Sequence, residues 1–177
     1  PCVSAFIARD RLDKLDKEAS VEFSFFTAGT CGAGPTIVSA TFLLLVTPVL
    51  TFVEGLRVFK EAWTEPRLVD FGDVGRRTVR LLDCPDVFTV AQSRPLASCA
   101  SRFATAPDVW NALFGACKAV LPEALLRNRR AMQQLAVFSD PIVRLVDKLV
   151  GSANVMIVDA RDQNTKVRAR HYHEDLE

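Results

Sequence analysis

The sequence predicts an α+β fold, a mixed or antiparallel sheet with helices packed on one face. Three observations lead there. Residues 21–27 alternate, with Glu22, Ser24 and Phe26 set against Val21, Phe23 and Phe25, the period of two that marks a strand. Short β-rich runs bounded by turn residues then follow between Val49 and Phe103. The last third instead repeats its apolar residues at helical spacing.

The elements read in order as follows. Ser4 is placed to cap a first helix, with Ala5, Ala8, Leu12 and Leu15 on one face and mixed charges elsewhere. The strand at 21–27 runs into a glycine-rich turn, Gly29 to Gly34, and then a helix opened by Pro35, whose missing N–H costs nothing at a first helical position. Glu54-Gly55, between Val49–Val53 and Leu56–Phe59, predicts a hairpin. Arg67–Phe71 and Thr78–Leu82 are two more strands, joined by Gly72-Asp73-Val74-Gly75. Asp83-Cys84-Pro85-Asp86 is a turn, and Ser98–Phe103 a strand.

Asp108 is placed to cap a helix through Val120, with Trp110, Leu113, Phe114 and Cys117 on its apolar side. Pro122 opens a short turn. A helix over Arg129–Phe138 is followed by a second over Ile142–Val150, started by Asp140-Pro141 and closed by Gly151. In that second helix Ile142, Leu145, Val146 and Leu149 read as the core face. Val155–Asp159 and Lys166–Tyr172 are strand-like.

At 177 residues the chain is long enough for one domain with a core. A net charge of +1 with scattered Lys and Arg gives no footprint for nucleic acid. The five cysteines are an odd, widely spaced set without a C-x-x-C pair, which argues against a zinc site and a disulfide framework and for a reducing compartment. No targeting peptide precedes Pro1, so a processed or partial product is expected.

No charged residue occurs from Phe23 to Val53. A membrane span needs about 20 apolar residues. Three glycines, Pro35, Pro48 and several threonines interrupt this run, which favours a buried helix followed by a buried strand and leaves contact with a membrane open.

The strand, glycine turn and helix start carry the one local anion signal. Gly29, Thr30, Gly32, Gly34 and Thr36 are the candidate anion or substrate loop, since helix N-termini bind phosphate and carboxylate. Gly29 to Thr36 has the outline of a P-loop, but Pro35 replaces the lysine that would reach the phosphates. A tight turn without a ligand is the competing reading. Cys31, near the helix start, is the one thiol whose pKa could fall there.

Other constellations are weaker. His171 and His173 share a strand face but find no third ligand, so no metal site is assigned. Asp70, Asp73, Arg76 and Arg77 could orient an anion or form a solvated loop. No Ser/His/Asp or Cys/His arrangement has a spacing logic, and no catalytic residue is assigned. No G-x-G-x-x-G follows a strand, so the chain carries no dinucleotide cofactor site of its own.

Four collinear stretches, FSFFTAGTCGAGPTI, VDFGDVGRR, SRFATAPDVWN and FSDPIVRLVDKLVG, together resemble the C-terminal half of saccharopine dehydrogenase-like oxidoreductases. Pro1-Cys2-Val3-Ser4-Ala5 resembles the Pro-Gly-x-Ser-Asn turn that opens their second domain. The resemblance spans Pro1 to about Asp159 and implies an α+β domain that covers a nucleotide crevice and carries substrate contacts, within a single domain expected over 1–177. NADP then enters only if an upstream Rossmann domain exists. Cys2, Ala5 and Cys31 depart from the family pattern, and Val46-Thr47-Pro48 stands where relatives have a charged turn.

That last departure makes Val46, Pro48 and Val49 interface candidates, with a protein partner covering the apolar 37–53 region. Two function classes follow from the resemblance. One is the cap half of an NADP-dependent oxidoreductase, not competent alone. The other is a non-catalytic structural subunit of a larger assembly, such as a photosynthetic complex of a plastid membrane.

Overall fold

The computed structural model describes residues 2–13, 15, 19–28, 35–151 and 153–173. Among them the chain forms α1 (Cys2–Leu12), β1 (Ser20–Ala28), α2 (Pro35–Leu44), β2 (Val49–Val53), β3 (Leu56–Lys60), β4 (Arg67–Asp70) and β5 (Arg76–Leu81). There follow α3 (Pro85–Ser93), β6 (Ser98–Ala106), α4 (Asp108–Val120), α5 (Glu123–Leu126), α6 (Arg129–Val150), β7 (Ala153–Arg161) and β8 (Lys166–His173). The α+β expectation holds, with a mixed sheet.

The strands run in the order β3-β2-β6-β1-β7-β8. β1 and β6 are parallel, and every other pairing is antiparallel. β2 pairs with β6 only at Ser98 and Cys99, while β5 pairs with it at Arg102 and Phe103. The β4–β5 hairpin therefore leans over one face of the sheet. The β2–β3 hairpin turns at Glu54 and Gly55, both left-handed at φ 51° and 77°, as the sequence predicts.

The pleat sorts β1 into two faces. Val21 and Phe23 pack against α1 and α3 through Ala8, Leu12, Val87 and Val90. Further along that face α2, α4 and α6 close over the sheet, with Phe42, Leu45, Phe114 and Met132 buried around Trp63. The Phe114 ring meets Phe42 and Trp63 edge-on, at 5.4 and 5.5 Å. On the other face Phe26 and Ala28 lie beneath the β4–β5 hairpin, against Val69, Phe71 and Val79. Each such buried side chain contributes roughly 1.5–3 kcal/mol. At the Ser20, Glu22 and Ser24 end of β1 the hairpin reaches the sheet through the Arg67 side chain, which donates to Glu22, and a groove stays open there.

Four expected boundaries change. Ser4 is not a cap but lies inside α1, buried, where its hydroxyl donates to Asp86 Oδ1 at 2.6 Å. A cap would use the hydroxyl oxygen as an acceptor for helix N–H groups, whereas here the hydroxyl donates a charge-assisted hydrogen bond to a carboxylate. Cys84-Pro85 is not an isolated turn: Pro85 is the first residue of α3, a helix the turn reading left out. Asp140-Pro141 does not start a new helix, because α6 runs unbroken through Pro141. Met132, Ala136 and Val143 are buried on both sides of the proline, and packing of that face overrides the local break. Asp108 is the first helical residue of α4, with Pro107 at the cap position.

Among the described residues no helix is long and apolar enough to cross a membrane. The apolar 37–53 stretch is divided between α2, which packs on α6, and β2.

Candidate functional site

The open end of the sheet face forms a charged groove of about 630 Å³, floored by β1, β6, β7 and β8 and walled by the β4–β5 hairpin. Seven basic side chains line it (Lys60, Arg67, Arg76, Arg102, Arg161, Lys166 and Arg168) against four acidic ones (Glu22, Glu65, Asp70 and Asp159). The alternation of each strand turns these charges onto one face, opposite the helices.

Glu22 is the hub of the floor. Its Oε1 accepts from Arg102 Nε at 2.5 Å, and its Oε2 from Arg67 Nη1. Arg102 is nearly buried, its side chain 7% exposed, and it also donates to the Glu65 carbonyl at 2.7 Å and to Glu65 Oε2 at 3.2 Å. Glu65 meets it from a left-handed backbone at φ 47°, a conformation that costs a non-glycine residue about 1 kcal/mol and persists only where its surroundings hold it. The Lys60 hydrogen bond first, and then Arg102, keep the Glu65 carboxyl below its usual range. Burial first, then the charges of Arg102 and Arg161, lower the Arg67 guanidinium below its ordinary value. On the outer strands Arg168 grips Asp159 with two hydrogen bonds of 2.6 and 2.7 Å, which raises the Arg168 pKa.

Among the described residues no histidine lines the groove. Most of its charges are held by one another, and the cations outnumber the carboxylates.

The sequence candidates fall elsewhere. Gly29, Thr30, Gly32 and Gly34, with Cys31, lie outside the described residues. Thr36 is exposed at the second position of α2, on the helix-covered side and away from the groove. Val46 is half-buried against the α2–α6 cluster, Pro48 is exposed, and Val49 is fully buried, a core residue rather than part of an exposed tip. Val46 and Pro48 border a shallow depression shared with Lys118, Glu61 and Arg127, so charges flank them.

The loop cluster disperses. Asp70 accepts from the Gly72 N–H at 2.8 Å, Asp73 pairs with Arg170 at 2.6 Å, and Arg77 lies over the Phe26 ring at 5.3 Å. Asp70 and Arg76 alone of that cluster line the groove. His171 is exposed on β8, and among the described residues no group of three side chains could hold a metal ion. Cys84, Cys99 and Cys117 are free thiols. Burial, followed by the Asp86 carboxylate, pushes Cys84 up to about 12, and burial pushes Cys99 to about 12 as well.

A second cavity, about 220 Å³ and almost wholly apolar, lies between α2, α4, α6 and the sheet. The hydroxyls of Thr41, Thr105 and Ser139 on its walls all donate to backbone carbonyls.

Sequence reading missed the Glu22–Arg102–Glu65 network. Its signal was a single charge inside each of two otherwise uncharged strands, Glu22 in β1 and Arg102 in β6, with alternate charges on β7 and β8. No protein-family model and no curated protein matches the chain.

Proposed function

We propose that this chain is the substrate-covering half of an NADP-dependent oxidoreductase of the saccharopine dehydrogenase-like kind, not competent for catalysis by itself. The observation that carries this reading is the groove: one sheet face is sealed by helices, and the other is left open with fixed, mainly cationic side chains. A domain that closes over a crevice needs such a face, since a bound anion is oriented by pre-positioned cations at little reorganisation cost. The four collinear motifs add family resemblance. The lack of a groove histidine among the described residues, and of a dinucleotide fingerprint in the sequence, fits a domain whose redox chemistry is supplied from another segment.

Reading the transcript upstream of Pro1 tests it. A strand followed by G-x-G-x-x-G is expected, with NADPH binding by the product of the whole gene and none by this chain in calorimetry. Micromolar NADPH affinity of the chain alone would overturn the division of labour.

A second reading, a non-catalytic structural subunit of a larger assembly, is favoured by one surface. Phe138, Ile142 and Leu145 on α6 are 81%, 57% and 62% exposed and recur on one helical face. An upstream segment without a nucleotide-binding fingerprint would favour it over the first.

A further inference from the structure

At the rim of the groove the strand register sets four hydrogen-bond donors in one row. Lys166 on β8 stands opposite Arg161 on β7, Arg161 opposite Ser20 on β1, and Ser20 opposite Ser98 on β6. Side chains in register share a face, and all four line the groove. With strands about 4.8 Å apart, the row extends about 14 Å across the sheet.

Two residues along the same strands, the charges are matched. Arg168 stands opposite Asp159 and is bound to it twice, and Glu22 next to Asp159 holds Arg102 and Arg67. In the rim row two cations face each other instead, an arrangement that destabilises a sheet. Among the described residues no carboxylate pairs with Arg161 or Lys166. Among the described residues the other five cations of the groove each meet a carboxylate, and two facing positive charges, backed by two hydroxyls, stand at its edge.

We propose that the row Lys166–Arg161–Ser20–Ser98 binds the phosphoryl group of a phosphate monoester. Two facing cations match the charge of about −1.5 to −2 that a monoester carries at neutral pH. The tetrahedral group offers three oxygens, enough for Arg161, Lys166 and the Ser20 hydroxyl together, with Ser98 next in line for the ester side. A single carboxylate brings one charge and two coplanar oxygens, and a dicarboxylate matches both charges only by splitting them between two planar groups, without three oxygens converging on one point. The remainder of the ligand would lie inward over Ser24 and the Arg102–Glu22 pair. This inference rests on the groove being a ligand surface and specifies what that surface takes.

Calorimetric titration of the full chain at about 50 mM salt, where surface electrostatics are only partly screened, tests it with glycerol 3-phosphate, inorganic phosphate and succinate. Saturable one-to-one binding of glycerol 3-phosphate is expected, weakened about tenfold or more in Arg161→Gln and in Lys166→Gln, as befits loss of a charge-assisted contact. Arg9→Gln, exposed on α1 beyond the helix-covered face, should leave binding unchanged. Binding should strengthen as pH rises through about 6, the second ionisation of the ester. Inorganic phosphate binding as tightly as the ester would support the site and mark the phosphoryl group as the whole of what is read.

Succinate binding as tightly as the ester would overturn the proposal, as would equal weakening by Arg9→Gln or the absence of saturable phosphate binding. If no anion binds while a nucleotide-binding segment lies upstream, this site fails and the covering-domain reading stands. If the ester binds and no such segment lies upstream, the site stands and the covering-domain reading fails.

Discussion

Arg102 and Glu22, 80 residues apart in the chain, meet at 2.5 Å across the parallel β1–β6 pair. Arg102 stands opposite Ser24, so the contact is a diagonal one, two residues down the neighbouring strand. It is the most enclosed ion pair of the groove, with side chains 7% and 19% exposed. Desolvating two charges nearly cancels their attraction, so the pair adds little net stability. Its consequence is positional: a guanidinium is pinned in the floor, with one donor from each terminal nitrogen engaged by Glu65.

Removing one partner should therefore cost far more than removing both. Glu22→Ala leaves Arg102 enclosed without its hub and should destabilise by about 3–5 kcal/mol. The paired change Glu22→Leu with Arg102→Met should lie within about 1 kcal/mol of the parent protein. Urea unfolding of the three proteins measures both. A double-variant cost as large as that of Glu22→Ala would show that an unpartnered Arg102 is not what makes the loss of Glu22 costly.

The thiols give a pH signature. Cys84 and Cys99, each pushed up to about 12, stay protonated in the folded chain at pH where an unfolded thiol ionises. Their folded pKa lies above the unfolded one, so their contribution is intact below about 9 and is lost as pH climbs toward about 12, at up to about 1.4 kcal/mol per pH unit and thiol. Unfolding free energy followed from pH 8 upward should fall less steeply in Cys99→Ala than in the parent. Native Cys99 should also resist iodoacetamide at pH 8. Rapid native alkylation of that residue would contradict its burial.

The strands and the β2–β3 hairpin were legible because their signals are local: alternation in 21–27, and Glu54-Gly55 where the hairpin turns through two successive left-handed residues. The groove was not, because it is a product of register. Nothing in the chain order says that Arg161 will stand between Lys166 and Ser20, or that Glu22 will meet Arg102. The helix start at Pro35 was legible for the same local reason, but the charges of the groove come together on the opposite side of the sheet. Pro141 shows the converse. Its local message, to end a helix, was clear and was overruled by the buried row Met132, Ala136 and Val143.

Pro141 thus sits in α6 at a conformational cost. It cannot donate to the Val137 carbonyl, and its ring crowds that turn, a loss of about 3 kcal/mol in a helix interior. Asp140 and Arg144 bracket it with an exposed pair at 2.6 Å that recovers only a few tenths. Pro141→Ala should raise stability by about 1–3 kcal/mol, read as a higher urea midpoint with unchanged slope. A lower midpoint would mean that α6 depends on the proline for its path across the core.

Adjacent positions on α6 provide the sharpest test of which face is inside. Apolar spacing alone offers Ile142, Leu145 and Val146 as the core stripe, and the structure chooses differently. Val143 is 7% exposed and lines the apolar cavity beside Leu135 and Phe42, while Ile142 is 57% exposed and Leu145 62%. One residue along a helix is a rotation of about 100°, so Val143 and Ile142 cannot both face the core. Val143→Asp would bury a carboxylate with no partner and should cost several kcal/mol, about 3 or more. Ile142→Asp should stay within about 0.5 kcal/mol, the range of surface changes. Thermal unfolding of the two variants side by side decides between the stripes. Equal losses would place α6 one position round from its orientation here, and a larger loss at Ile142 would return the core face to the one that the spacing predicts.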